Sequence, residues 1–406
     1  MLTRRTLGEA HRLVIKLGTN VVTRQGGGGE LALDRLEALI GSVARMRRAG
    51  REVVMVTSGA VGMGMRVLGL RERPRSLGLR QACAAVGQGK LMGVYTGAFA
   101  KLGVTAAQVL LTQEDLGDRD RALCVRTTLM RLLELGTVPI LNENDSVSVR
   151  ELVEHRRREG AGDDGGTTAF GDNDGLSAQV AVSLDADLLV LLTDVDGLFT
   201  TSPAVDPGAT RIDELAVVDD EALARAGVKP VAGGDGDPAR VPIAMSSGGT
   251  GGMASKLEAA RLASGEGTTV VIANGAAQGV LERILGGEDV GTFIPAAERR
   301  SARFRHIAIS ARAQGALVVN EGALKALTEH KASLLPIGVV AIDGMFEKGD
   351  VVEIRDGSGR VHGRGLVNYD ADACRRLAGH RSDEIDALIG TRGYDALITR
   401  DNLVLG

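Results

Sequence analysis

Two short blocks in this 406-residue chain combine residue types that suit phosphate chemistry. Phe170-Gly171-Asp172-Asn173-Asp174 offers acceptors for an ammonium group and for lysines, while Gly249-Thr250-Gly251-Gly252-Met253-Ala254-Ser255-Lys256 offers backbone donors and one fixed cation. Together they point to phosphoryl transfer onto a small acid. Singly each has a plainer reading: an Asp or Asn entering a helix is an ordinary N-cap, and a glycine run is an ordinary flexible linker. The second block is not a P-loop, because Ser255 rather than glycine precedes the lysine. It fits Gly-x-Gly-x-x-Ala, yet no acidic residue follows about 20 positions later at a strand end, as the dinucleotide fingerprint requires.

Three further places carry candidate chemistry. Lys16 is the only charge in the apolar run from Val14 to Leu17 and lies against Gly18-Thr19. Its ammonium either meets a phosphate or snorkels from a strand end, and burying it without an anion is costly. Ser58-Gly59-Ala60 stands where a strand turns into a helix, so Ser58 either holds an anionic group or caps that helix. Asn142-Glu143-Asn144-Asp145 follows an apolar run and crowds acceptors at a strand end, more of them than an Asx-turn uses.

The elements that must position these residues alternate. Val14 to Leu17, Val53 to Val56, Val104 to Leu111, Val138 to Leu141, Leu188 to Leu192 and Thr268 to Ala273 read as strands that are apolar throughout. Helical patterns lie between them: one opened by a capping box at Asp34-Arg35-Leu36-Glu37, one over about Leu77 to Leu102, one near Arg121 to Leu135 and one near Leu176 to Leu184. This is an α/β fold with a mostly parallel central sheet covered on both faces, and Gly18, Ser58, Asn142 and Thr193 follow its strands, where open sheets bind ligands. Glu154 to Thr168 and Gly233 to Pro238 read as surface loops. After Pro295 the arginines Arg299, Arg300, Arg303, Arg305 and Arg312 precede short apolar runs at Leu317 to Val319, Val339 to Ile342, Val351 to Ile354 and Gly365 to Val367. Glycine turns separate the runs, and one helix lies near Ala323 to Glu329, which predicts a small β-rich second domain.

Composition narrows the function classes. Aromatic residues make up 2% of the chain and the net charge is -4, so neither base stacking nor a broad polyanion surface is indicated. The three cysteines are far apart and fall in no metal-ligand spacing with the six histidines, so no metal site is assigned to side chains. The apolar run at Leu13 to Leu17 is too short for a signal sequence or a membrane span, and a cytoplasmic, membrane-free protein is the expectation.

In order as well as in type, Val14-Ile15-Lys16-Leu17-Gly18-Thr19, Val56-Thr57-Ser58-Gly59-Ala60, Asn142 to Asp145, Phe170 to Asp174, Leu192-Thr193-Asp194 and Gly249 to Lys256 resemble the glutamate 5-kinases of the amino acid kinase superfamily. Arg80-Gln81-Ala82 with Ala84-Ala85-Val86-Gly87-Gln88 is similar to that family too, and residues from about 303 onward look like its PUA domain. The resemblance implies an α/β/α sandwich over residues 1–296 and a PUA-like domain with a C-terminal extension over 303–406. It implies transfer of the ATP γ-phosphoryl group to the side-chain carboxylate of L-glutamate, with Mg²⁺, as the first step of proline synthesis. Ser58, Asp145 and Asn173 would hold glutamate. Lys16 and Lys256 would neutralise the phosphoryl group and Asp174 would orient them, as the catalytic set. Lys16, Thr193, Asp194, Thr250, Gly251, Gly252, Met253, Ala254, Ser255 and Lys256 would line the ATP site. Feedback inhibition by proline and a homodimer or homotetramer are also implied.

The chain departs from that family in a longer stretch between Asp145 and Gly171, in Ala169 where relatives often carry Lys or Arg, and in an extended run from Lys229 to Ser247. Two other readings compete: another superfamily member, such as an acetylglutamate kinase, aspartokinase or uridylate kinase, or an RNA-binding PUA protein. The first tends to show a different pattern after the first lysine than Lys16-Leu17-Gly18-Thr19-Asn20. The second lacks aromatics and positive charge.

Overall fold

The computed structural model describes residues 2–24, 30–72, 74, 76–147, 173–201, 203, 206, 208–225, 252–297, 313–330, 332–390 and 394–405. The chain divides into two compact units, Met1–Leu116 with Leu123–Pro230 and Ile243–Arg299 in the first, and Gly117–Ala122 with Val231–Pro242 and Arg300–Gly406 in the second.

The first unit is built on seven strands: β1 (Arg12–Leu17), β2 (Glu52–Val56), β3 (Ala106–Leu111), β4 (Val138–Glu143), β5 (Leu188–Thr193), β6 (Thr269–Asn274) and β7 (Thr292–Ile294). Their order is β3-β4-β2-β1-β5-β6-β7, parallel throughout except for the last pair. The mostly parallel sheet read from the sequence is therefore present, with β1 at its centre. The antiparallel edge β7 escaped notice because three residues give no periodic signal.

Ten helices are described around this sheet: α1 (Thr19–Val22), α2 (Leu33–Arg48), α3 (Ala60–Val67), α4 (Leu77–Lys101), α5 (Gln113–Gly117), α6 (Arg119–Glu134), α7 (Asn173–Ser183), α8 (Asp220–Arg225), α9 (Met253–Gly265) and α10 (Val280–Leu285). The pleat of β1 sorts its side chains between two faces. Leu13, Ile15 and Leu17 join a buried cluster with Leu36, Ile40 and Val43 of α2, Leu91, Tyr95 and Phe99 of α4, and Leu281 and Ile284 of α10. Lys16 points the other way and meets α7, which packs on β1, β5 and α9. Helices thus cover both faces of the sheet.

Three local expectations change. The capping box at Asp34 does not form. Leu36 N donates to Ala32 O, so α2 starts at Leu33 behind Ala32 and Asp34 is its second residue, where the Arg35 main-chain N–H holds its carboxyl below the usual range. Ser58 does not cap α3 either; the cap is Gly59, at φ 100°, a conformation glycine adopts without strain. The helix expected from Leu176 begins earlier, at Asn173, which makes Asn173 and Asp174 its first two residues and not its cap.

Helices α3 and α4 cross at backbone distance. A Cβ on Gly64 would lie 1.8 Å from the Cys83 carbonyl oxygen, and one on Gly87 would lie 1.8 Å from the Ala60 oxygen. No other residue type fits either position without moving main chain, so the glycines draw α4 close beneath the loop that carries Ser58.

The second unit holds a five-stranded sheet in the order β12-β11-β10-β8-β9, made of β8 (Gly315–Val319), β9 (Val339–Gly344), β10 (Val351–Arg355), β11 (Val361–Leu366) and β12 (Leu403–Leu405). Only β8 and β10 pair in parallel. Helix α11 (Glu321–His330) falls where the sequence placed one, while α12 (Ala371–Leu377) and α13 (Ile385–Ile389) were not anticipated. Strand β11 starts at Val361, before the expected Gly365. A Cβ at Gly363 would lie 2.3 Å from the Val404 oxygen, so close strand approach demands glycines there, and glycines erase the apolar pattern of a strand. The unit's core joins Leu317, Val319, Val352, Ile354, Cys374 and Leu377.

The loops read at Glu154 to Thr168 and Gly233 to Pro238, the extended run Lys229 to Ser247, Ala169 and the arginines 299 to 312 lie outside the described residues.

Candidate active site

Five parallel strands deliver polar side chains to one edge of the first sheet. Lys16 is the penultimate residue of β1, Ser58 lies two residues beyond β2, Asn142 is the penultimate residue of β4, and Thr193 and Asn274 end β5 and β6, paired with each other in register. This is the carboxyl edge, where open α/β sheets place their ligands.

The charged half of the site is a buried triad. Asp174 is fully buried, and Lys16 and Lys256 are each 3% exposed. Lys16 Nζ lies 2.5 Å from Asp174 Oδ1, and Lys256 Nζ lies 3.2 Å from Oδ2, which also accepts from Ser255 Oγ at 2.8 Å. Burial alone would raise the Asp174 carboxyl, but Lys16 and Lys256 outweigh it and hold the group below the ordinary carboxylate range. The carboxylate is therefore ionised and bridges two ammonium groups. Residues far apart in sequence meet here because α7 packs on β1 and α9 packs against α7 and β6.

The amide half begins one residue earlier. Main-chain Glu143 N–H donates to Asn142 Oδ1 at 3.0 Å and to Asn173 Oδ1 at 3.3 Å, and a backbone donor fixes which end of each amide is oxygen. Asn173 Nδ2 must then be the donor to Asn142 Oδ1 at 3.0 Å and to Ser58 Oγ at 3.1 Å, which uses both of its hydrogens. Ser58 accepts in this arrangement, so its own hydroxyl proton is available to an acceptor such as a carboxylate. Asn173 keeps acceptor capacity on Oδ1, suited to an ammonium.

Thr193 and Asp194 form a third group. Asp194 accepts from Asn20 Nδ2 at 2.7 Å and from Thr193 Oγ1 at 3.2 Å. Burial raises its carboxyl, and the Asn20 amide and the Thr193 hydroxyl more than offset this, so it too stays low. Asp145 lies in the turn after β4, half-buried and two residues past Glu143. Gly252 caps α9 and Met253, Ala254, Ser255 and Lys256 form its first turn, while Thr250, Gly251 and Phe170 to Asp172 lie outside the described residues. Sequence reasoning missed two residues. Asn20 follows the Lys16-Leu17-Gly18-Thr19 motif and gave no separate signal, and Gln88, which accepts from Asn142 Nδ2 at 2.7 Å, sits in an alanine- and glycine-rich helix with only its family-like surroundings to mark it.

A doubly covered, mostly parallel sheet with buried lysines gathered by one carboxylate at its strand ends defines an α/β protein equipped to hold a phosphorylated ligand. The chain belongs to the amino acid kinase family, which residues 11–274 match, and residues 315–389 match the PUA domain. It is 44% identical over 403 residues to the glutamate 5-kinase of Moorella thermoacetica, covering 99% of this chain and 98% of that protein. It is 44% identical over 404 residues to the Myxococcus xanthus glutamate 5-kinase, at 99% and 98% coverage, and 40% identical over 395 residues to that of Caldanaerobacter subterraneus, at 97% of each.

Proposed function

We propose that this protein transfers the γ-phosphoryl group of ATP to the side-chain carboxylate of L-glutamate, giving L-glutamyl 5-phosphate and ADP at the entry to proline synthesis. The observation that carries the reading is the adjacency of Asn173 and Asp174, one joined to Ser58 and the other bridging Lys16 and Lys256. Full-length similarity to proteins named glutamate 5-kinase supports the same substrate.

The chemistry needs no general base, because the attacking carboxylate is already ionised at neutral pH. One carboxylate oxygen forms a bond to the γ-phosphorus as the bond from phosphorus to the ADP oxygen breaks, and the electron pair leaves with ADP. Catalysis then rests on alignment and charge neutralisation. Lys16 and Lys256 face the phosphoryl oxygens, with Asp174 keeping two like charges close together. Ser58, Asp145 and Asn173 hold glutamate. Thr193, Asp194 and residues 250–256 line the nucleotide.

Mg²⁺ brought in with the nucleotide would supply further neutralisation of phosphate charge beside Lys16 and Lys256. Among the described residues there is no group of three or more His, Cys, Asp or Glu side chains that could hold a metal ion.

Residues 1–296 form the catalytic domain in this reading and 303–406 a structural or regulatory PUA-like domain, in place of RNA binding as the protein's main task. A homodimer or homotetramer, inhibition by proline and a cytoplasmic location belong to it as well. No helix among the described residues is long and apolar enough to cross a membrane.

Incubation with ATP, Mg²⁺, L-glutamate and hydroxylamine tests the activity, since an acyl phosphate is trapped as a hydroxamate. Turnover of N-acetylglutamate or aspartate without turnover of glutamate would assign the chain to another branch of the family.

A further inference from the structure

The buried polar face of α4 contributes to the amide half of the site without being part of it. Gln88 is 9% exposed and accepts from Asn142 Nδ2 through Oε1. Its orientation is not arbitrary. Glu143 N–H fixes Asn142 Oδ1, so Asn142 presents its nitrogen to Gln88, and Gln88 must answer with oxygen. Gln88 Nε2 is then left buried with no hydrogen-bond partner among the described residues.

An apolar side chain of the same length would remove that buried donor but would strand Asn142 Nδ2, so the oxygen end of Gln88 is the part with a partner to serve. What its oxygen does is set the position of Asn142, which in turn accepts from Asn173 Nδ2, which donates to Ser58 Oγ. Two turns further along α4, Tyr95 OH bonds Thr57 Oγ1 at 2.7 Å, beside Ser58, and Gly87 seats α4 against the Ala60 carbonyl. One helix thereby fixes the ends of both β2 and β4.

We propose that Gln88 is a positioning residue for the acceptor substrate, acting through Asn142 and Asn173 to aim the Ser58 hydroxyl and the Asn173 carbonyl at the acid. This rests on the reading that Ser58 and Asn173 bind glutamate. Among the described residues no hydrogen bond or ion pair joins Gln88 or Tyr95 to the lysine triad, so the effect is expected at the acceptor subsite.

The test is steady-state kinetics on the full chain with Gln88→Met, Gln88→Asn, Gln88→Glu, Ser58→Ala and the Gln88→Met/Ser58→Ala double variant. Gln88→Met has the same length without the acceptor, Gln88→Asn withdraws the amide by one methylene, and Gln88→Glu keeps the acceptor. Met and Asn are expected to raise KM for glutamate about ten-fold while KM for ATP moves less than about two-fold, with Glu recovering most of the loss. Either of the first two suffices should the other not fold. The double variant is expected to be no worse than Ser58→Ala, because the two act through one chain. Unchanged KM for glutamate in Met and Asn, equal rises for both substrates, or additivity in the double variant would overturn the proposal. Should Ser58→Ala itself leave KM for glutamate unchanged, the reading of the substrate site fails instead, so the two failures are distinguishable.

Discussion

Asn173 and Asp174 are neighbours in the first turn of α7, yet their side chains enter different chemistry: the Asn173 amide bonds Ser58 and Asn142, and the Asp174 carboxylate lies between Lys16 and Lys256. A helix separates successive side chains by about 100°. A single turn therefore directs an amide and a carboxylate to different partners and holds the two at a fixed spacing.

Asp174→Asn removes the counter-charge of two buried ammonium groups. The expected loss of stability is about 3–5 kcal/mol, with kcat down by at least about 100-fold, measured by urea unfolding and initial rates. Because the folded carboxyl is held below its unfolded value of about 3.9, its contribution is present above that pH and is lost as pH falls through the folded value. The stability gap between wild type and Asp174→Asn should shrink below about pH 4, and a gap that widened there would refute the ion-pair account.

Lys256→Ala should lower kcat by about 100- to 1,000-fold with little change in KM for glutamate, since its ammonium matters most as charge redistributes in the transition state. Single-turnover measurements separate this from slow product release. A rise in KM for glutamate at unchanged kcat would mean that the two halves of the site are exchanged.

Ser58→Ala and Asp145→Ala are each expected to raise KM for glutamate about ten-fold or more, the loss of one hydrogen bond to a charged group. Isothermal titration of glutamate in the absence of ATP gives an independent value. Ser58→Thr restores a hydroxyl and should recover part of the affinity if the free proton is what binds.

Gly87→Ala places a methyl 1.8 Å from a main-chain oxygen in α3, so α3 must shift. The expected cost is roughly 3 kcal/mol or more, with a weaker glutamate affinity because Ser58 precedes that helix. Thermal melts and KM read the two effects, and a substitution that left both unchanged would contradict the crossing geometry.

What was legible in the sequence was chemically odd for its surroundings. A lysine in an apolar strand and carboxylates massed at a helix entry stand out from pattern alone, and Lys16, Asp174 and Lys256 do converge. Gln88 and Asn20 did not stand out, because an amide inside an ordinary helical pattern looks like any surface residue until its partners are known. Glycines misled in both directions. Gly363 and Gly365 concealed most of β11, and the approach of α3 to α4 through Gly64 and Gly87 leaves no periodic trace. Asp34 carried the spacing of a capping box, but Ala32, already tied by its own N–H to the Val22 carbonyl, started the helix first.

The burial of Lys16 also constrains when this protein can fold. β1 is the central strand, with neighbours on both sides, yet its lysine waits for an anion 158 positions downstream and shares it with a second lysine further on. A nascent chain that ends before Asp174 can close β1 against β2 only by enclosing an uncompensated cation or leaving that face wet. Released fragments of about 150 residues are therefore expected to stay open to proteases, with resistance arriving only once α7 and α9 have both emerged. Placing a buried ion pair at the centre of the sheet links the closing of β1 to the arrival of two helices far along the chain.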